Sequence, residues 1–123
     1  MNFTDGDTDI LFEAEQSPVD GVLVKVSVNN EDYNYSGKCE DTASVEDWSS
    51  FIQELEELDL SRNGSAKLSA PGINILFKSL DLTGTIGVSG NLNIGLFSLT
   101  FEPVTFDTTN FSKFVTSLKS VEY

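Results

Sequence analysis

The chain has 123 residues, 39% of them hydrophobic and 11% aromatic, which suits one folded domain and is too apolar for a disordered one. Seven Lys and Arg face twenty Asp and Glu, for a formal net charge of −13. Such a field disfavours nucleic acid and anionic membrane surfaces and speeds encounter with basic partners. The single cysteine, Cys39, excludes an intramolecular disulfide and a cysteine-based zinc cluster.

The chain opens on an acidic, weakly patterned stretch, so residues 1–9 read as a loose acidic segment before a short strand at Ile10-Leu11-Phe12. The first five residues carry neither a basic region nor an apolar run, so no signal peptide is expected and a cytoplasmic location follows. Asp5-Gly6-Asp7-Thr8-Asp9 begins like a calcium loop. The full loop wants Gly at its sixth position and Glu at its twelfth, where Ile10 and Gln16 stand, so a solvated acidic segment is the better reading.

Val22, Val24, Val26 and Val28 alternate with Leu23, Lys25 and Ser27 and predict a strand with one buried face. Asn29-Asn30-Glu31-Asp32 reads as a turn, with a returning strand from Tyr33-Asn34-Tyr35-Ser36. Ser44 with Asp47 resembles a capping box and opens a helix over about 45–59. Trp48, Phe51, Ile52, Leu55 and Leu58 form its apolar stripe, which places Trp48 in the core. At about 100° per residue, Glu46, Ser50, Gln53 and Glu57 centre the opposite face, with Asp47 and Glu54 on one flank and Glu56 on the other. Asn63-Gly64 supplies the turn into the next strand.

From Ala66 to Phe106 the pattern predicts antiparallel strands at 66–68, 73–77, 85–88 and 97–101, with turns at Pro71-Gly72, Thr83-Gly84 and Gly90-Asn91. The uncharged run from Leu82 to Phe101 is broken by glycine and asparagine and alternates, so it is strand and turn rather than a membrane span. A second helix over about 108–119 is capped by Asp107 and turns Phe111, Phe114, Val115 and Leu118 inward, with Lys119 in its last turn. The class is α+β: a mostly antiparallel sheet carrying two amphipathic helices, in a single domain over 1–123.

With no histidine, the commonest general base and transition-metal ligand is missing, and Cys39 has no imidazole to activate it. No strand-to-helix phosphate loop occurs. Neither a metal nor a cofactor is expected. A carboxylate pair could still hydrolyse a glycoside, which keeps a small carboxylate-dependent hydrolase as an alternative to a non-enzymatic protein. Between Glu40 and Asp59 stand eight acids and no basic residue. Glu46, Glu54, Glu56, Glu57 and Asp59 are the candidate partner-binding residues, since like charges at i, i+3 cost a few tenths of a kcal/mol unless a cation answers them. A merely solvated face is the competing reading.

Several segments together resemble the WapI-like immunity proteins, small bacterial antitoxins encoded beside contact-dependent toxins. They are the helix Trp48-Ser49-Ser50-Phe51-Ile52-Gln53-Glu54-Leu55-Glu56-Glu57-Leu58, then Gly64-Ser65-Ala66-Lys67-Leu68, Leu82-Thr83-Gly84-Thr85-Ile86-Gly87-Val88, Leu99-Thr100-Phe101-Glu102 and Phe106-Asp107-Thr108-Thr109-Asn110-Phe111-Ser112-Lys113-Phe114. The similarity spans about residues 20–119. One departure is Thr108, where the family tends to carry Gln after the Asp. The resemblance implies a cytoplasmic protein that binds the toxic domain of a cognate toxin, often a nuclease with a basic surface, and blocks its active site. A general acidic protein-interaction module is the alternative within binding.

Overall fold

In a computed structural model, which describes residues 2–5, 8–30, 35–80, 85–94, 97–106 and 108–121, the chain is α+β, with two antiparallel four-stranded meanders and two helices. The first meander runs β1 (Asn2–Asp5), β2 (Thr8–Gln16), β3 (Val22–Asn30) and β4 (Tyr35–Ala43). Helix α1 (Val45–Ser61) follows. The second meander is β5 (Ser65–Ala70), β6 (Ile73–Ser79), β7 (Ile86–Ile94) and β8 (Phe97–Phe106), and α2 (Thr108–Lys119) ends the order.

Alternation in β3 gives the first sheet its inner face. Val22, Val24, Val26 and Val28 are buried, while Leu23, Lys25 and Ser27 lie on the half-exposed outer face. The strand pairs residue for residue with β2, so the short strand expected at 10–12 extends over nine residues, from Thr8 to Gln16. Asn2–Asp5 pairs with Leu11–Thr8, so much of the segment read as loose is strand: the β2 edge supplies the hydrogen-bonding partners that local sequence does not reveal. Asn29 and Asn30 close β3 instead of turning, and the rest of that expected turn lies outside the described residues. Asn30 stays in the ladder because its buried amide donates to Thr8 Oγ1 at 2.7 Å, across the sheet. Gly21, just before β3, has φ +113, and a Cβ there would stand 2.2 Å from the Ala43 carbonyl oxygen, so only glycine allows the close approach to β4.

In the second sheet, β7 carries straight through Gly90-Asn91, where a turn was expected. Asn91 stands opposite Thr100, and its amide donates to Thr100 Oγ1 at 2.8 Å, so turn-forming chemistry is used here as a cross-strand pair. β8 also outruns its expected end at 101. Val88 pairs with Val104 and Gly90 with Phe101, so Glu102 and Pro103 together face Ser89 in a β-bulge that absorbs the proline's missing N–H. The expected Thr83-Gly84 turn and the Asp107 cap lie outside the described residues.

The two sheets and both helices share one core. Phe12 of β2 meets Phe51 of α1 and Phe114 of α2, with ring centroids 6.4 and 5.4 Å apart. Phe77 of β6 reaches the same two rings, at 5.7 and 5.4 Å. A second clasp joins the sheets at the β5–β6 turn. Gly72 N donates to Asp41 Oδ2 at 2.6 Å, and the Cys39 thiol lies 3.3 Å from the carbonyl oxygens of both Gly72 and Asn93. Helix α1, which links the two meanders, and helix α2, which follows the second, are packed against this shared core.

Candidate functional site

Helix α1 begins as its sequence dictates. Ser44 is extended at its cap, and its hydroxyl accepts from Asp47 N at 3.1 Å. Trp48, Phe51, Leu55 and Leu58 are buried, so the opposite side of the helix is held rigidly toward solvent. The helix is capped at Arg62, and Gly64, at φ +98, makes the expected turn into β5. Arg62 is left-handed at φ 56, and its N–H donates to Leu58 O at 2.8 Å.

The five acids expected to form one patch are divided by the tertiary structure. Glu46 and Glu57 project into solvent along the outer side of α1, together with Asp47, Ser50 and Gln53. Glu54 leans to the other side, where its Oε1 accepts from Lys67 N at 3.2 Å on the edge strand β5. Glu56 pairs across to Lys119 of α2 at 3.5 Å. Asp59 is the most deeply engaged: its Oδ1 receives Arg62 Nη2 at 2.8 Å and the Ser112 hydroxyl at 2.6 Å. Glu54, Glu56 and Asp59 therefore anchor α1 to its neighbours, and the outward charge is carried by Glu46, Asp47 and Glu57.

The turn of α1 nearest Arg62 adds an apolar contact that charge-based reading passed over. Leu60 is 87% exposed, beside a shallow hollow of about 130 Å³ lined by Glu56, Asp59, Leu60, Val115, Thr116 and Lys119. Its only sequence signal is a leucine outside the apolar stripe. Arg62, the chain's one arginine, closes this end. Its side chain binds Asp59 O and Ser112 Oγ, each at 2.8 Å, and lies 5.4 Å from the centre of the Phe111 ring. Ser79 Oγ donates to the Arg62 carbonyl at 2.9 Å, so one residue ties α1, α2 and β6 together.

Elsewhere the described charges are structural in scale. On the outer face of the first sheet, Lys25 stands between Glu15 at 3.2 Å and Glu40 at 4.0 Å. The hydrogen bond and charge of Glu15, then the charge of Glu40, hold the lysine above its ordinary 10.5. Burial first, then the Asp41 carboxylate, push the Cys39 thiol above 9.0, so the thiolate needed for nucleophilic or metal chemistry is disfavoured. Among the described residues no group of three or more His, Cys, Asp or Glu is placed to hold a metal ion, and no helix is long and apolar enough to cross a membrane. No family model, curated protein or solved structure matches the chain.

Proposed function

We propose that this protein is a non-enzymatic immunity protein that binds and masks the basic toxic domain of a cognate bacterial toxin in the cytoplasm. The observation that carries the binding part is the rigid outward face of α1. Glu46, Asp47 and Glu57 stand exposed on a helix whose other side is locked into the core, with no basic residue between Glu40 and Asp59 to neutralise them. Fixed charges of one sign steer an oppositely charged partner at little ordering cost. Leu60, at the end of the same face, offers a fully desolvatable apolar contact beside that charge. The immunity part follows from the resemblance over residues 20–119, and a nuclease target is the toxin class whose basic surface suits this face.

The test uses the toxin domain encoded next to this gene. Co-purification of the two proteins and loss of toxin activity on mixing are the expected results. Glu46→Gln with Glu57→Gln should slow association and flatten its dependence on salt, while dissociation changes less, because exposed charges act chiefly on the on-rate. A neighbouring gene product that neither binds nor is inhibited sinks the immunity reading. Binding with an unchanged salt slope in the double variant sinks the role of the acidic face.

A further inference from the structure

The Asn63-Gly64 pair between α1 and β5 carries chemistry of its own. Asn63 is the chain's one asparagine followed by glycine, and both residues are exposed. Gly64 is turned to φ +98, and a Cβ placed on it would meet nothing within 4 Å, so the peptide between the two borders open space. The backbone on either side is tied. Asn63 N–H donates to Ser61 Oγ at 3.2 Å, the Ser61 hydroxyl donates to Asn63 O at 3.0 Å, and Ser79 N–H donates to Gly64 O at 3.1 Å. Among the described residues, the Asn63 side-chain amide and the Gly64 N–H meet no partner.

We infer that Asn63 is a site of spontaneous deamidation in the folded protein, with Gly64 N as the nucleophile and water as the only co-reactant. The Gly64 nitrogen bonds to Asn63 Cγ, its proton and the side-chain nitrogen leave as ammonia, and a succinimide ring closes. Water then opens the ring at either of two C–N bonds. Cleavage at Cγ gives aspartate; cleavage at the main-chain carbonyl carbon gives isoaspartate, with the chain running through Cγ. Glycine favours the closure because no side chain crowds the attacking nitrogen. The Ser61 hydroxyl bonds the carbonyl of that same peptide, which polarises it and eases loss of the Gly64 amide proton. Either product adds a negative charge at this end of α1. Isoaspartate also lengthens the main chain by one atom between Arg62 O and Gly64 O. Ser79 holds the first with its hydroxyl at 2.9 Å and the second with its N–H at 3.1 Å. The lengthened chain no longer matches that spacing, so the turn that seats α1 on β6 loosens.

The experiment holds the folded protein at mildly alkaline pH and follows it by peptide mapping, beside the same chain unfolded in guanidinium chloride. Asn63 should gain the mass of an acid at comparable rates in both, as two products of equal mass that separate chromatographically. Asn91 and Asn93, followed by Leu92 and Ile94, should keep their amides. In the isoaspartyl fraction the Ser79 amide should exchange faster and Tm should fall below that of the parent. Asn63→Gln, whose longer side chain closes a larger ring, should stay unmodified; the map of the parent decides the site even if that variant fails to fold. Reaction at Asn63 only in the unfolded chain overturns the site, because the turn would then shield it. Isoaspartate at 63 with unchanged Ser79 exchange overturns the loosening of the turn. Neither result bears on the acidic-face reading, which is judged by salt-dependent association with the toxin domain.

Discussion

Replacing Arg62 separates two effects that usually run together. The residue is left-handed at φ 56, a conformation that costs a non-glycine residue about 1–2 kcal/mol. What offsets that cost is its side chain, with hydrogen bonds of 2.8 Å to Asp59 O, Asp59 Oδ1 and Ser112 Oγ, and a guanidinium 5.4 Å from the Phe111 ring centre. Arg62 and Asp59 are each about a quarter exposed, so water screens the pair, and the bonds together should contribute about 1–2 kcal/mol. The cation–ring contact adds about 0.5–1 kcal/mol. Arg62→Ala should therefore destabilise the protein by about 2–3 kcal/mol, since it loses the contacts and keeps the strain. Arg62→Gly loses the same contacts but relieves the strain, so it should be more stable than the Ala variant by about 1 kcal/mol, or about 4 °C in Tm. That order inverts the usual one, in which glycine is worse than alanine in a helix by about 0.5–1 kcal/mol. Urea unfolding followed by Trp48 fluorescence measures all three proteins. A glycine variant equal to or weaker than the alanine variant would refute the left-handed cap, and an Ala variant as stable as the parent would refute the network.

Three further outcomes are expected. Trp48→Ala should cost about 3–5 kcal/mol, because a fully buried indole packed 5.6 Å from Phe51 leaves a large cavity; emission of the parent near that of free indole, with easy iodide quenching, would contradict its burial. Asp41→Ala removes the acceptor for Gly72 N and Thr42 N and should cost about 1–3 kcal/mol, with faster amide exchange at Gly72, and unchanged exchange there would mean the turn is held by other contacts. The raised Cys39 thiol binds its proton more tightly folded than unfolded. Its contribution to stability is thus complete below about pH 9 and declines as pH rises through the folded value. Unfolding free energies of the parent and Cys39→Ala should converge above pH 9 relative to their difference at pH 7, and a constant difference across that range would refute the shift.

The periodic elements were determined by the sequence alone. Four valines two residues apart make β3, and Trp48, Phe51, Leu55 and Leu58, with Phe111, Phe114, Val115 and Leu118, make the buried stripes of α1 and α2, because burial of one face is a local pattern. The Ser44 cap was equally legible, being a contact three residues long. Tertiary structure decided where signals conflict or partners are distant. Pro103 and Gly90 look like strand ends until a bulge and a facing strand accommodate them, and Asn2–Asp5 becomes a strand only because the β2 edge is open to it. The same holds for the candidate site. Eight acids without a base are visible in the sequence between Glu40 and Asp59, but not that Glu54, Glu56 and Asp59 would be taken by Lys67, Lys119, Arg62 and Ser112. Nor does the apolar stripe that buries Trp48 reveal an indole N–H that meets no acceptor among the described residues, because charge and hydrogen-bond balance depend on groups far apart in sequence that only the folded chain brings within a few ångströms.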